Sequence, residues 1–412
     1  MKLKDIARYV TDKVNSDAIG LENYVTTDSI LQNKAGRIEA SNLPPTSCTL
    51  TRFQKGDILI ANIRPYLRKI WMADIDGGCN ADVLVFRAIN GYSSAFVYAV
   101  LMQDAFYSYA MKGAKGSKMP RGDKEQIMRF EIPSNLQDID GIGNLIVSIK
   151  AKIDLLNQIN RNLEAMARQL YDYWFVQFDF PDADGKPYKS SGGKMVWNER
   201  LKREIPAGWT DTTISDYAVI QNGATPSTAD EKNYNGDIVW ITPKDLSDQN
   251  QKFTFRGERL ITKNGYDSCS TTLLPIGTIL MSSRAPIGLL SIAAVELCTN
   301  QGFKSLVPKT EWFRHFLYYL VEQYMPIIKQ LGSGTTFSEV SKDGLSKLCV
   351  PCIPLNVINE WDKIAEPIFL RQKELLREIA TLTAQRDELL PLLMNGQVSV
   401  RPTAVNCDLS HG

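Results

Sequence analysis

Every seventh residue from Ile142 reads Ile142, Ile149, Leu156, Leu163, Leu170, and the companion positions four further on read Ile146, Ile153, Asn160, Ala167, Trp174. This is an apolar a/d seam broken by a single Asn, the pattern of a helix with a narrow face that a partner helix must bury. A second seam of the same length lies near the C-terminus: Trp361, Ile368, Leu375, Leu382, Leu389, with Ala365, Gln372, Ile379, Arg386, Leu393. Each helix is the obvious partner for the other, and five heptads predict a rod of roughly 50 Å. Pro367 and Pro391 fall inside the second helix, where a kink, or a helix that starts properly only after Pro367, is expected.

The rest of the chain is organised around these helices as one unit used twice. Residues 1–140 read as a mixed α/β domain. Asp57 to Ile60 and Val83 to Phe86 are strand-like, and Ser94 to Met111 is a helical pattern with Ser93 or Ser94 as N-cap and Gly113 as its stop. A loop rich in Gly, Lys and Arg follows, then Glu131-Ile132-Pro133, then the first long helix, residues 141–176. After a polar, turn-rich linker, 177–208, residues 209–355 repeat the order. Thr278 to Met281 follows Ile276-Gly277 as Asp57 to Ile60 follows Lys55-Gly56, and Arg284 falls where Arg64 falls. Glu311 to Leu331 answers the helix, and Cys352-Ile353-Pro354 answers Glu131-Ile132-Pro133. The second long helix, 356–395, and a tail, 396–412, complete the chain. The period of about 220 residues is too long for a solenoid and implies an internal duplication. The expected fold class is α/β (α+β): two globular domains separated by two long antiparallel coiled-coil helices about a pseudo-twofold axis.

Chemistry is sparse. The sequence has no phosphate-cradling G-x-x-x-x-G-K-[ST] and no G-x-G-x-x-G after a strand. It has no Asn-Pro-Pro-aromatic run, and only two histidines. The seven cysteines give one C-x-x-C, Cys349 and Cys352, without a second pair, so a zinc site lacks ligands. An odd cysteine count, no signal-peptide h-region and no apolar run of membrane length predict a cytoplasmic protein. Asp182, Asp184 and Lys186 bear a superficial likeness to a metal-dependent nuclease site, but Asp-Gly-Lys in a linker reads first as a turn.

A binding reading is left. Net charge is +1, so nucleic acid would have to meet local clusters rather than a global basic field. Arg64, Tyr66, Arg68 and Lys69 set three cations beside an aromatic just after a strand; guanidinium forks suit guanine edges and phosphates. Lys115, Lys118 and Arg121 lie on the glycine-rich loop. In the second half, Ser283 and Arg284 take the equivalent turn and Thr335 and Thr336 the equivalent loop, with Lys244 upstream. Two similar polar surfaces held apart by a rigid spacer suit a ligand that repeats along a line, as duplex DNA does every roughly 34 Å.

Several strings carry a resemblance: Leu170-Tyr-Asp-Tyr-Trp-Phe-Val-Gln-Phe-Asp-Phe-Pro181, Gly185-Lys-Pro-Tyr-Lys-Ser-Ser-Gly-Gly-Lys-Met195, Glu204-Ile-Pro-x-Gly-Trp209 and Leu389-Leu-Pro-Leu-Leu-Met-Asn-Gly-Gln-Val398. In these the chain resembles the specificity subunits of type I restriction–modification enzymes, a host-defence system. The resemblance implies target recognition domains at 1–140 and 209–355, each reading half of a split, asymmetric site in double-stranded DNA. It implies long helices that set the spacer and dock two modification (methyltransferase) subunits, with restriction/translocase subunits joining them. Catalytic residues and metal ligands would be absent from this chain, and no cofactor bound by it. S-adenosylmethionine, ATP and Mg would belong to the partner subunits, whose holoenzyme methylates adenine and cleaves DNA. The coil and subunit interface would use Ile149, Leu156, Asn160, Leu163, Leu170, Trp174, Leu375, Leu382, Leu389 and Leu393. The polar seam residues Asn160, Gln372 and Arg386 suit either register control or partner contact. Two rivals stay open: a coiled-coil scaffold without DNA contact, and a stand-alone DNA-binding or nuclease protein working through Asp182, Asp184 and Lys186.

Overall fold

The computed structural model describes residues 1–332 and 339–400. It divides into two compact units, one of residues 1–158 with 378 onward, the other of residues 159–377.

The first unit holds an antiparallel sheet in the order Ala7–Tyr9, Val83–Ala88, Ile58–Ala61, Ile70–Met72. Its central strands are apolar from Ile58 to Ala61 and from Val83 to Phe86 because both faces are covered there. Ile58, Ile60, Leu84 and Phe86 point into a core shared with the following helices. Their alternates Leu59, Val83 and Val85 meet Val25, Phe53 and Trp71 on the other face, as a period of two requires. A second small sheet covers that face and pairs Tyr24–Val25 in parallel with Gly77–Cys79.

Ser93 caps the helix that follows, its hydroxyl accepting from Phe96 N at 3.2 Å, and Gly113 closes the stretch. The expected single helix is two, Ser94–Met102 and Asp104–Lys112. Gln103 between them is extended and turns its amide back to Val100 O at 3.0 Å, competing with the helical ladder.

The second unit repeats this plan. Its sheet runs Ala218–Asn222, Lys304–Pro308, Ile279–Met281, Leu290–Ala293, with Phe253–Thr254 added at the edge. Trp240-Ile241 pairs in parallel with Cys298–Thr299, as Tyr24–Val25 does with Gly77–Cys79. Its helix is likewise broken, into Phe313–Gln323 and Met325–Leu331. Both domains also close alike: Leu3 N bonds to Phe130 O, and Ile214 N to Leu348 O.

The first long helix runs Ile139–Tyr171 and ends in a wide turn, Asp172–Val176. The second is unbroken from Leu355 to Met394, so the helix does not begin after Pro367. Pro367 and Pro391 both sit on its exposed face, where the missing backbone donor leaves a carbonyl that water can serve. In the first unit Ile142 and Ile146 share a core with Leu390, Leu393 and Met394, while Lys152 meets Glu378 at 2.7 Å. In the second unit Gln372 reaches Asn160 O at 3.5 Å and Tyr171 packs edge-on against Trp361. Within each unit, one helix therefore ascends as the other descends.

Residues 177–208 are more than a linker. Phe178 and Phe180 are buried, Phe180 stacks on Trp209 and Tyr188, and Met195–Asn198 pairs with Arg203–Pro206 as a hairpin. The alternation of Phe178 and Phe180 supplies a buried face that the surrounding polar residues mask in the sequence. Asp182 spends its carboxylate on closing a turn, accepting from Asp184 N and Lys186 N at 2.9 Å each. No helix among the described residues is long and apolar enough to cross a membrane.

Candidate nucleic-acid interface

In the first unit, the turn after Ile58–Ala61 and the glycine-rich loop come together. Arg64 N donates to Pro120 O at 2.7 Å, and Arg121 exchanges two 2.9 Å backbone bonds with Lys115. Asn62 N bonds to Asp82 O at 2.8 Å and Gly122 N to Asn62 O at 3.2 Å, closing a junction of three segments. Arg64 holds a left-handed backbone at φ 52° immediately before Pro65, a costly conformation for a residue with a Cβ. Its Nε is buried without a hydrogen-bond partner.

The predicted cations divide at this junction. Lys115 is 85% exposed with Asp123 3.5 Å away, and Lys118 is exposed. Arg121 is exposed beside Asp82 at 3.1 Å, and Tyr66 is half-exposed on the turn. Arg68 lies over Asp104 at 3.1 Å. Lys69 turns inward and donates to Thr27 O at 2.6 Å; burial, partly offset by Asp28, draws its ammonium below the usual lysine range.

The second unit has the same junction. Ser283 N bonds to Gly302 O at 2.7 Å and Val340 N to Ser283 O at 3.0 Å. Ser283 therefore takes the place of Asn62, Gly302 that of Asp82, and Glu339 that of Arg121. By the same bonds Arg284 answers Ile63, and the residue answering Arg64 is Ala285, also left-handed at φ 44° and also before a proline. The expected alignment of Arg284 with Arg64 is thus one residue out of register. Ser283 is fully buried, its hydroxyl 3.4 Å from Glu339. Glu339 also meets Lys304 at 3.0 Å and Arg284 at 3.7 Å. Burial works against its ionised form, but Lys304 and Arg284 outweigh that and hold the carboxyl below its usual range. Lys244 is exposed and bound to Glu258 at 2.8 Å. Thr335 and Thr336 lie outside the described residues.

Each domain also inserts one buried lysine among the long helices of its own unit. Lys34 reaches Asp387 at 3.3 Å and Asp104 at 2.8 Å. Lys252 is held by Glu164 at 2.7 Å, Tyr319 at 2.8 Å and Gln372 at 3.1 Å, with its ammonium 3.5 Å from the centre of the Phe369 ring. Neither lysine stands out in the sequence, where both lie in polar stretches.

Along the seam, Leu156, Trp174, Leu375 and Leu393 are buried, whereas Ile149, Asn160, Leu163, Leu170, Leu382 and Leu389 are half-buried. Gln372 and Arg386 are buried too, Gln372 bonded to Glu164 and to Asn160 O, Arg386 to Asp387. Of the aromatic residues in the Leu170–Pro181 string, Tyr171, Trp174, Phe175, Phe178 and Phe180 are buried and Tyr173 is left exposed. In the second unit Met166, Leu170, Tyr173, Ile364 and Ile368 line an open apolar cleft of about 440 Å³. The matching positions of the first unit hold Leu145, Ile149, Leu389 and Leu392, partly exposed.

Residues 206–385 match the profile described as "Type I restriction modification DNA specificity domain". The MjaIX specificity subunit of Methanocaldococcus jannaschii is 38% identical over 164 residues, which is 38% of each chain. The HindI specificity subunit of Haemophilus influenzae is 25% identical across 96% of this chain and 98% of its own. The crystal structure of a type I S subunit from M. genitalium superposes with a TM-score of 0.61 at 14% identity, covering 96% of this chain and 95% of that one, and so shares the fold. Residues 206–385 thus match the type I restriction–modification DNA specificity domain, and nearly the whole chain is similar in sequence to a specificity subunit of that kind, with the fold shared with another.

Proposed function

We propose that this chain is the DNA-reading, non-catalytic subunit of a type I restriction–modification enzyme. It recognises a bipartite asymmetric site, one half per recognition domain. The observation that carries this reading is the junction repeated in both units, with the same three-segment backbone bonding and different side chains. Identical scaffolds bearing different polar groups are what reading two different half-sites requires. Arg64, Tyr66, Arg68, Lys115, Lys118 and Arg121 serve the first half-site, and Lys244 and Arg284 the second; Ser283, expected to touch DNA, is fully buried and belongs to the scaffold beneath Arg284. The helix pair sets the spacer between the halves.

The apolar cleft at Leu170, Tyr173 and Ile364, with its counterpart at Ile149 and Leu389, supports two copies of one partner, the modification subunits. Those subunits bring S-adenosylmethionine and methyl transfer, and the restriction subunits bring ATP- and Mg-dependent translocation and cleavage, all in the cytoplasm. The test is methylation mapping in cells that express this chain with its methylating partner. Exchanging residues 1–140 for those of a relative should change one half of the methylated motif and leave the other half and the spacer intact. A motif that changes throughout, or not at all, overturns the reading.

A further inference from the structure

At the junction of each unit an arginine faces a carboxylate, but the loop after the broken helix supplies the arginine in the first unit and the carboxylate in the second. In the first unit the loop after the broken helix gives the cation, Arg121, and the turn before Val83–Ala88 gives the anion, Asp82. In the second unit the equivalent loop position gives the anion, Glu339, and the turn after Ile279–Met281 gives the cation, Arg284. Gly302 stands where Asp82 stands, so the second unit could not make the first unit's pair. Asp82 and Glu339 are 37% and 36% exposed, and their arginines more so. Pairs this open contribute little to stability, because water screens them and two side chains must be ordered. Their effect is on direction. A guanidinium held from one side presents its remaining donors on the other, and a base edge is read only by a fork already aimed.

We infer that Asp82 and Glu339 are positioning residues for base discrimination, Asp82 aiming Arg121 at the first half-site and Glu339 aiming Arg284 at the second. This rests on the DNA-reading function proposed above. The backbone supports it: Arg121 is bonded in both directions to Lys115, and Val340 beside Glu339 is bonded to Ser283, so the side chains pivot on fixed points. Glu339 is steadied further by Lys304, whose own side chain is buried.

A positioning carboxylate differs from a structural one in the sign of its effect on DNA. It repels phosphates, so its removal strengthens non-sequence-specific binding while blurring the choice of base. The experiment uses the full-length chain and fluorescent duplexes carrying the mapped motif, each with one base pair changed. Asp82→Asn should lower discrimination at one position of the first half-site by roughly ten-fold, leaving the second half-site as in wild type. Binding to unrelated duplex should tighten roughly two- to five-fold at low salt. Glu339→Gln should do the same at the second half-site only, and Asp82→Glu should restore the wild-type pattern at the first. Discrimination unchanged in both amide variants overturns the inference while leaving the DNA-reading function standing. Equal loss at both half-sites also overturns it, since that is the mark of damaged folding. A wild-type chain that shows no preference for its mapped motif overturns the function itself and this inference with it.

Discussion

The two globular domains are built on one plan but fastened to the long helices differently. In the first unit Lys34 is answered by two carboxylates that water still reaches, Asp104 and Asp387. In the second unit Lys252 is surrounded. Glu164 and Arg168 face it from the first long helix, Glu322, Tyr318 and Tyr319 from the domain's own helix, and Gln372 and Phe369 from the second long helix. Close approach follows the same division. Gly143 of the first long helix lies so near the Ser94–Met102 helix that an added Cβ would sit 2.5 Å from Phe96 N. The second unit has no such squeeze at the corresponding position, where Asp362 instead meets His315 at 2.7 Å. The first domain is held by backbone proximity and open ion pairs, the second by a desolvated polar network. The same fold thus tolerates two fastenings.

The difference is broken most directly at the lysines. Lys252→Ala removes the buried cation that Glu164, Tyr319 and Gln372 share and should cost the second unit ~3–5 kcal/mol. Lys34→Ala leaves carboxylates that water can serve and should cost ~1–2 kcal/mol. Hydrogen exchange along the two long helices measures both. Equal losses would mean that the two fastenings are energetically alike. Gly143→Ala comes next. The helix gains propensity of about 1 kcal/mol, but the clash is with backbone that cannot swing away, so a net loss of ~1–3 kcal/mol in the first unit is expected. A neutral result in the same exchange experiment would show that the helices can part there at no cost.

Much of this architecture was legible in the sequence. Ala365, Gln372, Ile379, Arg386 and Leu393, the companion positions of the second seam, are all buried, because spacing alone fixes which side of a long helix faces its partner. Ser93 and Gly113 were legible as cap and stop, since each does a local job. The break at Gln103 was not, because it depends on one side chain bonding backwards. The register of Arg284 was missed because the turn it occupies differs by one residue between the domains. Asp82, Glu339, Lys34 and Lys252 left no mark either. A charged residue in a polar stretch looks solvated until the fold brings its partner from far along the chain.

The protonation of Lys252 sharpens the comparison further. Burial, opposed by Glu164, pulls its ammonium down to about 8. Between that value and the unfolded lysine range near 10.5 the unfolded chain binds more protons than the folded one, so this group's contribution favours folding increasingly as pH rises. The tyrosines of the same network act oppositely, because burial raises them, so the comparison must be a difference. The stability of wild type relative to Lys252→Met should climb by on the order of 1 kcal/mol per pH unit between about pH 8 and 10. A flat difference would show that the ammonium is better solvated than its ring of aromatic neighbours implies.

The smallest expected effects separate cations that look alike in sequence. Lys69 and Lys115 belong to the two basic segments that meet at the first unit's junction, yet one donates to Thr27 O and the other projects into solvent. If the proposed function holds, Lys115 meets phosphate. Lys115→Ala should weaken binding to all duplexes alike, by ~0.5–1 kcal/mol, and reduce the salt dependence by about one released ion. Lys69→Ala should leave the salt slope where it is and instead lower the stability of the first unit, by ~1 kcal/mol for the lost hydrogen bond. Measuring affinity from low to physiological salt on matched and unmatched duplexes resolves the two. A slope that falls in Lys69→Ala and stays put in Lys115→Ala would reverse the assignment and move the DNA surface to the inner side of the turn. That outcome would also relocate the first half-site relative to the Asp82–Arg121 pair, so the weakest of these variants still tests where the strongest specificity contact is made.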